Sequence, residues 1–159
     1  MQRQLDEALD LHVISQIDAA RPDSGSEGVT TIEILRFAVG AMRAKGVNPT
    51  IVAMNPDDST DLDLTTAGAD NLPLFSLRTT GDSSPLWGLR VVEAKNVDAG
   101  SAYLIDPQVL GVLYTGSTSF LADPYTGMAN NTINFRLELN ALMHIRNADG
   151  AYIAVLNNS

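Results

Sequence analysis

The sequence has no cysteine in its 159 residues. That absence excludes disulfides, a thiol nucleophile and thiolate metal ligation, and it fits a reducing cytoplasm. Positive charge is also scarce. Ten Lys and Arg stand against nineteen Asp and Glu, for a net charge of −9. The acidic excess is spread over both halves of the chain, so it is not an acidic tail. Such a surface is poorly suited to gripping DNA, RNA or an anionic membrane. No apolar run approaches the roughly 18 residues of a membrane-spanning helix. The opening Met1–Glu7 lacks the apolar core and small-residue cleavage site of a signal peptide.

What is present is the balance of a globular domain. Apolar residues make up 45% and charged residues 18%, which excludes a chain disordered throughout. The length predicts one domain with a sizeable core.

Leu5, Leu9, Val13 and Ile17 recur every fourth position and predict a helix over 4–19, closed at Arg21-Pro22. Asp23–Gly28 reads as a polar loop. A second helix starts at Thr30 or Thr31 with Glu33 in capping-box position, and stops at Lys45-Gly46. Its apolar residues Ile32, Leu35, Val39 and Met42, widened by Ile34, Phe37 and Ala41, predict a largely buried helix. Thr50–Met54 is a short buried strand, and a short helix is expected over 58–65. Residues 57–85 are otherwise rich in Asp, Ser, Thr and Gly and carry little pattern.

From Leu86 the pattern turns to strands: 86–92, 102–105, and 109–114 as a strand or a short helix followed by one. The strongest periodicity covers 133–145, where Ile133, Phe135, Leu137, Leu139, Ala141, Met143 and Ile145 alternate with mostly polar neighbours. It predicts one long strand with a buried face carrying these residues and an outer face carrying Arg136, Glu138 and His144. Asp149-Gly150 reads as a hairpin turn into a returning strand, Ala151–Leu156. Helices early and strands late predict an α+β fold.

The search for chemistry returns little. His12 and His144 stand in no metal-ligand spacing and read as structural or surface residues. Gly111–Gly116 lacks the lysine and hydroxyl of a phosphate loop. Asp57, Asp58, Asp61 and Asp63 lack the glycine and closing glutamate of a calcium loop and read as a solvated acidic surface. Asp123–Gly127 is a turn by composition. Trp87 reads as core, and Arg136 and Arg146 as solvated charge or as contacts between subunits. A long exposed strand needs a cover for its edge. No catalytic, cofactor-binding or metal-binding residue is nominated, and no enzyme activity, cofactor or metal is expected.

Several stretches resemble a known family in order and spacing. Leu5–Asp10 followed by Val13-Ile14 resembles the end of a long spine helix. Ile32–Gly46, then Asn48-Pro49-Thr50-Ile51-Val52-Ala53-Met54-Asn55-Pro56, resembles a helix, a glycine stop and a strand ending in Met-Asn-Pro. Leu86–Ala94 resembles a Leu-x-Gly-x-x-Val-Val strand, and Ala99–Asp106 the segment after it. Phe120, Asn131 and Phe135-Arg136-Leu137-Glu138 resemble the run into the last long strand, and Gly150–Leu156 the terminal strand. Over most of its length the chain is similar to the major capsid proteins of tailed bacteriophages, the Hong-Kong-97-like fold. It resembles their C-terminal portion, without the N-terminal arm and extended loop that precede the spine helix.

The resemblance implies a mixed α+β fold with an axial domain over 28–125 and a peripheral domain from 1–20 (the end of the spine helix) and 130–156 (long strands). It implies a non-enzymatic shell subunit whose partners are copies of itself in pentamers and hexamers. In the parent capsid, such subunits enclose DNA without strong direct binding and touch no membrane. The location implied is the virion, after synthesis in the bacterial cytoplasm. Without the arm and loop, mainly monomers or weak rings of five or six, and no closed shells, are expected. An encapsulin-type nanocompartment shell is an alternative on the same fold, and an unrelated α+β enzyme or small-ligand binder is an alternative on another.

Overall fold

The computed structural model describes residues 2–67, 72–73, 86–123, 125–126, 130 and 132–156. In chain order the elements begin with helix α1 (Gln2–Ala19), strand β1 (Asp23–Gly25), helix α2 (Thr31–Ala44), β2 (Ile51–Met54) and α3 (Pro56–Leu64). Two short strands, β3 (Thr66–Ala67) and β4 (Leu72–Pro73), precede β5 (Arg90–Glu93) and β6 (Ser101–Ile105). A one-turn helix α4 (Pro107–Leu110) leads into β7 (Gly111–Thr115) and β8 (Ser119–Asp123). Then come β9 (Asn134–Glu138), β10 (Ala141–Ile145), a 3-10 turn at Ala148–Gly150 and β11 (Ala151–Val155). The fold is α+β, as the order of helical and alternating patterns predicts.

Five strands form the main sheet in the order β1-β11-β6-β2-β5. β11 runs antiparallel to β6, and β6 antiparallel to β2; β1 is parallel to β11, and β5 to β2. One face of the sheet, with Val52, Met54, Ala102, Leu104 and Ala154, packs against Ile34, Leu35, Ala38, Val39 and Met42 of α2 and Leu62 of α3. The other face, with Ala53, Tyr103, Ile105 and Ile153, meets Val13, Ile14 and Ile17 of α1 together with Met143 and Ile145 of β10. The sheet is therefore a middle layer, covered on both sides by apolar faces of helices.

Local chemistry explains the helix limits. The Thr30 side chain accepts from the Glu33 N–H, and Glu33 accepts from the Thr30 and Val29 N–H groups, which makes a capping box. Those backbone donors hold the Glu33 carboxyl below its usual range. At the other end Gly46, with φ +79°, lets the Val47 N–H return to the Met42 carbonyl. Asn55 caps α3 and Pro56 occupies its first turn, where a missing N–H costs nothing.

Five expectations are corrected. Asp23–Gly25 is a strand, not a loop: it adds to the edge of the sheet beside Tyr152–Ala154, a long-range pairing that local polarity does not report. Phe37 is 55% exposed, so α2 is amphipathic and not largely buried. The strand expected from Leu86 begins at Arg90, because Trp87 (φ +54°) and Gly88 (φ +88°) make a tight turn bridging Leu86 and Leu89.

The predicted long strand is two strands. β9 pairs with β8 and β10 with β7. The ribbon is interrupted on both sides at one height, at 116–118 and 139–140, where the Gly116 N–H donates to the Asn140 carbonyl. Finally, Asp149-Gly150 does not form a hairpin. Asn147 caps a 3-10 turn, and β11 leaves β10 to pair with β6 and β1. Leu110 fixes this parting of the strands: its carbonyl accepts the Arg146 N–H at 2.8 Å, while Gly150 lies directly against its backbone.

Candidate functional site

The most unusual surface lies on the β8–β9 ribbon. Its register places Phe120 opposite Leu137 and Ala122 opposite Phe135. The Phe120 and Phe135 rings stack diagonally across it, with centroids 5.7 Å apart and planes 20° from parallel. The two rings are 61% and 51% exposed. The other face carries Leu121, also exposed, and an ion pair between Arg136 and Glu138. At the end of β8, Asp123 accepts from the Tyr125 and Thr126 N–H groups and from the Thr126 hydroxyl. That hydroxyl is the chief reason the Asp123 carboxyl is held below its usual range, followed by the two backbone donors.

The predicted buried face of 133–145 is therefore corrected, while its alternation stands. Odd-numbered residues from Leu137 to Ile145 are partly covered and their even-numbered neighbours are exposed. Cover falls off along the ribbon. Met143 and Ile145 pack against α1 in the core. Leu139 and Ala141 line an open groove. Phe135 and Ile133 are more than half exposed. The sequence signal for exposure is the pair Phe120-Leu121: consecutive apolar residues in a strand point to opposite faces, so burial of one face leaves the other apolar and bare.

The groove runs between the N-terminal half of α1 and the β9–β10 junction. Leu5, Ala8, Leu9, His12, Leu139 and Ala141 line it, and its volume is ≈ 220 Å³. His12 sits at its wall with a buried Nε2 that has no hydrogen-bond partner among the described residues. His144 lies elsewhere, exposed on β10 opposite Val112. The two histidines do not converge.

The acidic run also differs from its sequence reading. Asp57 and Asp61 are exposed, but Asp58 is 5% exposed and accepts the Gly100 N–H at 2.8 Å. It is a structural acceptor tying α3 to the turn before β6, and no part of a solvated face. Its neighbour Ser59 donates to Glu93 on β5. Among the described residues, no group of three or more His, Asp or Glu is placed to hold a metal ion. No helix among them is long and apolar enough to cross a membrane.

Trp87 is not core. It stands 37% exposed on its turn, with the Arg36 guanidinium 5.5 Å above the ring centroid. Arg136 is spent on Glu138. The turn expected at 123–127 is seen at Asp123, Tyr125 and Thr126; Pro124 and Gly127 lie outside the described residues.

Comparison with known proteins places the fold. No protein-family model matches the sequence, and no curated protein does. Solved structures do match. A virus-like particle from Pyrococcus furiosus superimposes with a TM-score of 0.70 at 14% identity, over 94% of this chain and 63% of that one. The capsid of an empty GTA particle matches with a TM-score of 0.56 at 17% identity, over 83% of this chain and 46% of that one. This chain therefore spans less than two thirds of the length of either neighbour. The α+β architecture of this chain is a capsid-type fold.

Proposed function

We propose that this chain is a shell-forming subunit, of the kind that builds the head of a tailed bacteriophage, and that its principal partner is a second copy of itself. The observation that carries the reading is the superposition of 94% of the chain on a virus-like particle subunit with a TM-score of 0.70. The bare aromatic ribbon supports it, since an apolar surface of this kind on a chain of net charge −9 needs a protein cover. In this reading the five-stranded sheet with α2 and α3 is the body directed at the symmetry axes. The end of a spine helix is α1, and with the strands of 134–145 it forms the peripheral part; β11, expected in that part from the resemblance, is counted with the body because it pairs with β6 and β1. The parent particle is a virion that encloses DNA by geometry, its acidic subunits gripping none of it. No catalytic role is assigned.

A nanocompartment shell that encloses a cargo protein is a second reading. Negative-stain microscopy of the purified protein over a salt series tests the proposal: weak rings of five or six are expected, and larger closed particles would exceed that expectation. Nucleic acid in such particles favours the virion, and a co-purifying protein cargo favours the compartment. A chain that shows only single subunits at every salt and protein concentration overturns both.

A further inference from the structure

Two unfilled features of one protomer fit each other. The first is the stacked pair Phe120–Phe135, exposed on a two-stranded ribbon that, among the described residues, has no third strand or helix over its aromatic end. Such a ribbon is marginal by itself and gains stability when its apolar face is covered. The second is the groove beside α1, apolar but for His12, with a volume of ≈ 220 Å³. An apolar cavity of about 150 Å³ accepts a benzene ring, so this groove has room for one phenyl group. The ribbon cannot fold back into the groove of its own chain, because Leu139, on the continuation of β9, already forms one wall of it.

Resting on the shell-subunit reading, we propose that the β8–β9 ribbon of one copy docks its Phe120–Phe135 face on the α1 groove of the next copy, with one of the two rings entering it. The contact is heterologous: ribbon meets groove, so each subunit offers one of each and the chain of contacts closes into a ring when the rotation permits. The area agrees with a weak contact repeated around a ring. Phe120, Tyr125, Ile133 and Phe135 are each more than half exposed. At roughly 150–200 Å² for a large side chain, they hold about 400 Å² of open surface. The groove side exposes much less, so the contact lies well below the roughly 1,200 Å² of stable pairs. Ring closure compensates, because the last contact forms within one assembly. The like charge of the subunits opposes the contact, and salt screens that repulsion.

The absence of native cysteine makes the test direct. Phe120→Cys is made in one preparation and Ala8→Cys, on the groove wall, in another, each checked for native circular dichroism. The two are treated with a short bis-maleimide cross-linker separately and mixed. The expected result is a cross-linked dimer as the main product of the mixture only. Dimer from Phe120→Cys alone at the same yield means that ribbons meet ribbons, and it overturns the inference. So does a mixture that gives no dimer. In parallel, Phe135→Ala is expected to weaken association roughly tenfold or more, while Phe135→Tyr leaves it nearly unchanged. Rings or particles that persist in Phe135→Ala, with no cross-link in the mixture, overturn this contact and leave the shell reading standing. A wild-type chain that never associates overturns both.

Discussion

Gly150 offers the sharpest test of the packing. It sits where β10 and β11 part, and its carbonyl accepts the Asp106 N–H at 2.8 Å. A Cβ added there would lie 2.3 Å from the Leu110 nitrogen, 2.5 Å from its Cα and 2.9 Å from its Cβ. The first two are backbone atoms and cannot rotate away. Leu110 is itself 3% exposed, and its carbonyl accepts from Arg146 and Asn147. Relief therefore requires α4 and the 3-10 turn to separate by about an ångström, enough to break contacts in a packed interior. Overpacking costs about 1–3 kcal/mol, and a strained backbone hydrogen bond adds about 1 kcal/mol. Gly150→Ala is thus expected to lose about 3 kcal/mol, a fall of roughly 6–12 °C in midpoint for a chain of this size.

The control is Gly40, in the middle of α2, where an added Cβ meets nothing within 4 Å. Gly40→Ala is expected to gain about 0.5–1 kcal/mol from the helix propensity of alanine. Urea and thermal unfolding followed by circular dichroism measure both. A Gly150→Ala variant within about 0.5 kcal/mol of the parent, the ordinary range for a surface change, would refute the steric argument.

Three further outcomes are expected. Asp58→Ala strands the half-buried Gly100 N–H and should cost about 1–2 kcal/mol in urea unfolding, and Asp58→Asn, which keeps an acceptor, should cost less. Lys45 donates to Asp23 and Asp149 and so ties α2 to β1 and to the turn before β11. These hydrogen bonds, Asp149 first, raise its pKa. Its stabilisation is complete below the ordinary lysine value of about 10.4 and is lost as pH rises above it; Lys45→Met should lower the melting midpoint at pH 7 and remove that alkaline loss. Glu33 has the opposite sign: its lowered pKa stabilises α2 above the ordinary glutamate value, and the stabilisation is lost as pH falls through the lower folded value. Glu33→Ala should therefore flatten the acid limb of a melting-midpoint profile.

Much of the fold is legible in the sequence, where the signal is local. The capping box at Thr30 and Glu33, the glycine stop at Gly46 and the four-residue stripe from Leu5 to Ile17 each act within a few residues, and each is found where the pattern puts it. What is not legible depends on distant partners. The Asp23–Gly25 strand exists because β11 offers an edge more than a hundred residues later. The split at Leu139–Asn140 leaves no mark on a period of two that runs straight through it. Asp58 looks like its acidic neighbours until the Gly100 N–H arrives from the turn before β6. The candidate interface is legible in half. Alternation names the apolar residues of 133–145, but how much of that face α1 covers depends on where the helix lies over the ribbon. Cover ends short of Phe135, and there the surface turns from core into contact.

Sedimentation velocity of the purified wild-type chain, over a range of protein and salt concentration, tests the central claim most directly. The account predicts reversible association that strengthens with salt, since an apolar contact between like-charged subunits gains from screening. It also predicts that the associated species sediments as rings of five or six. A single monomer boundary at every concentration, or a dimer that dissociates as salt is raised, would contradict it.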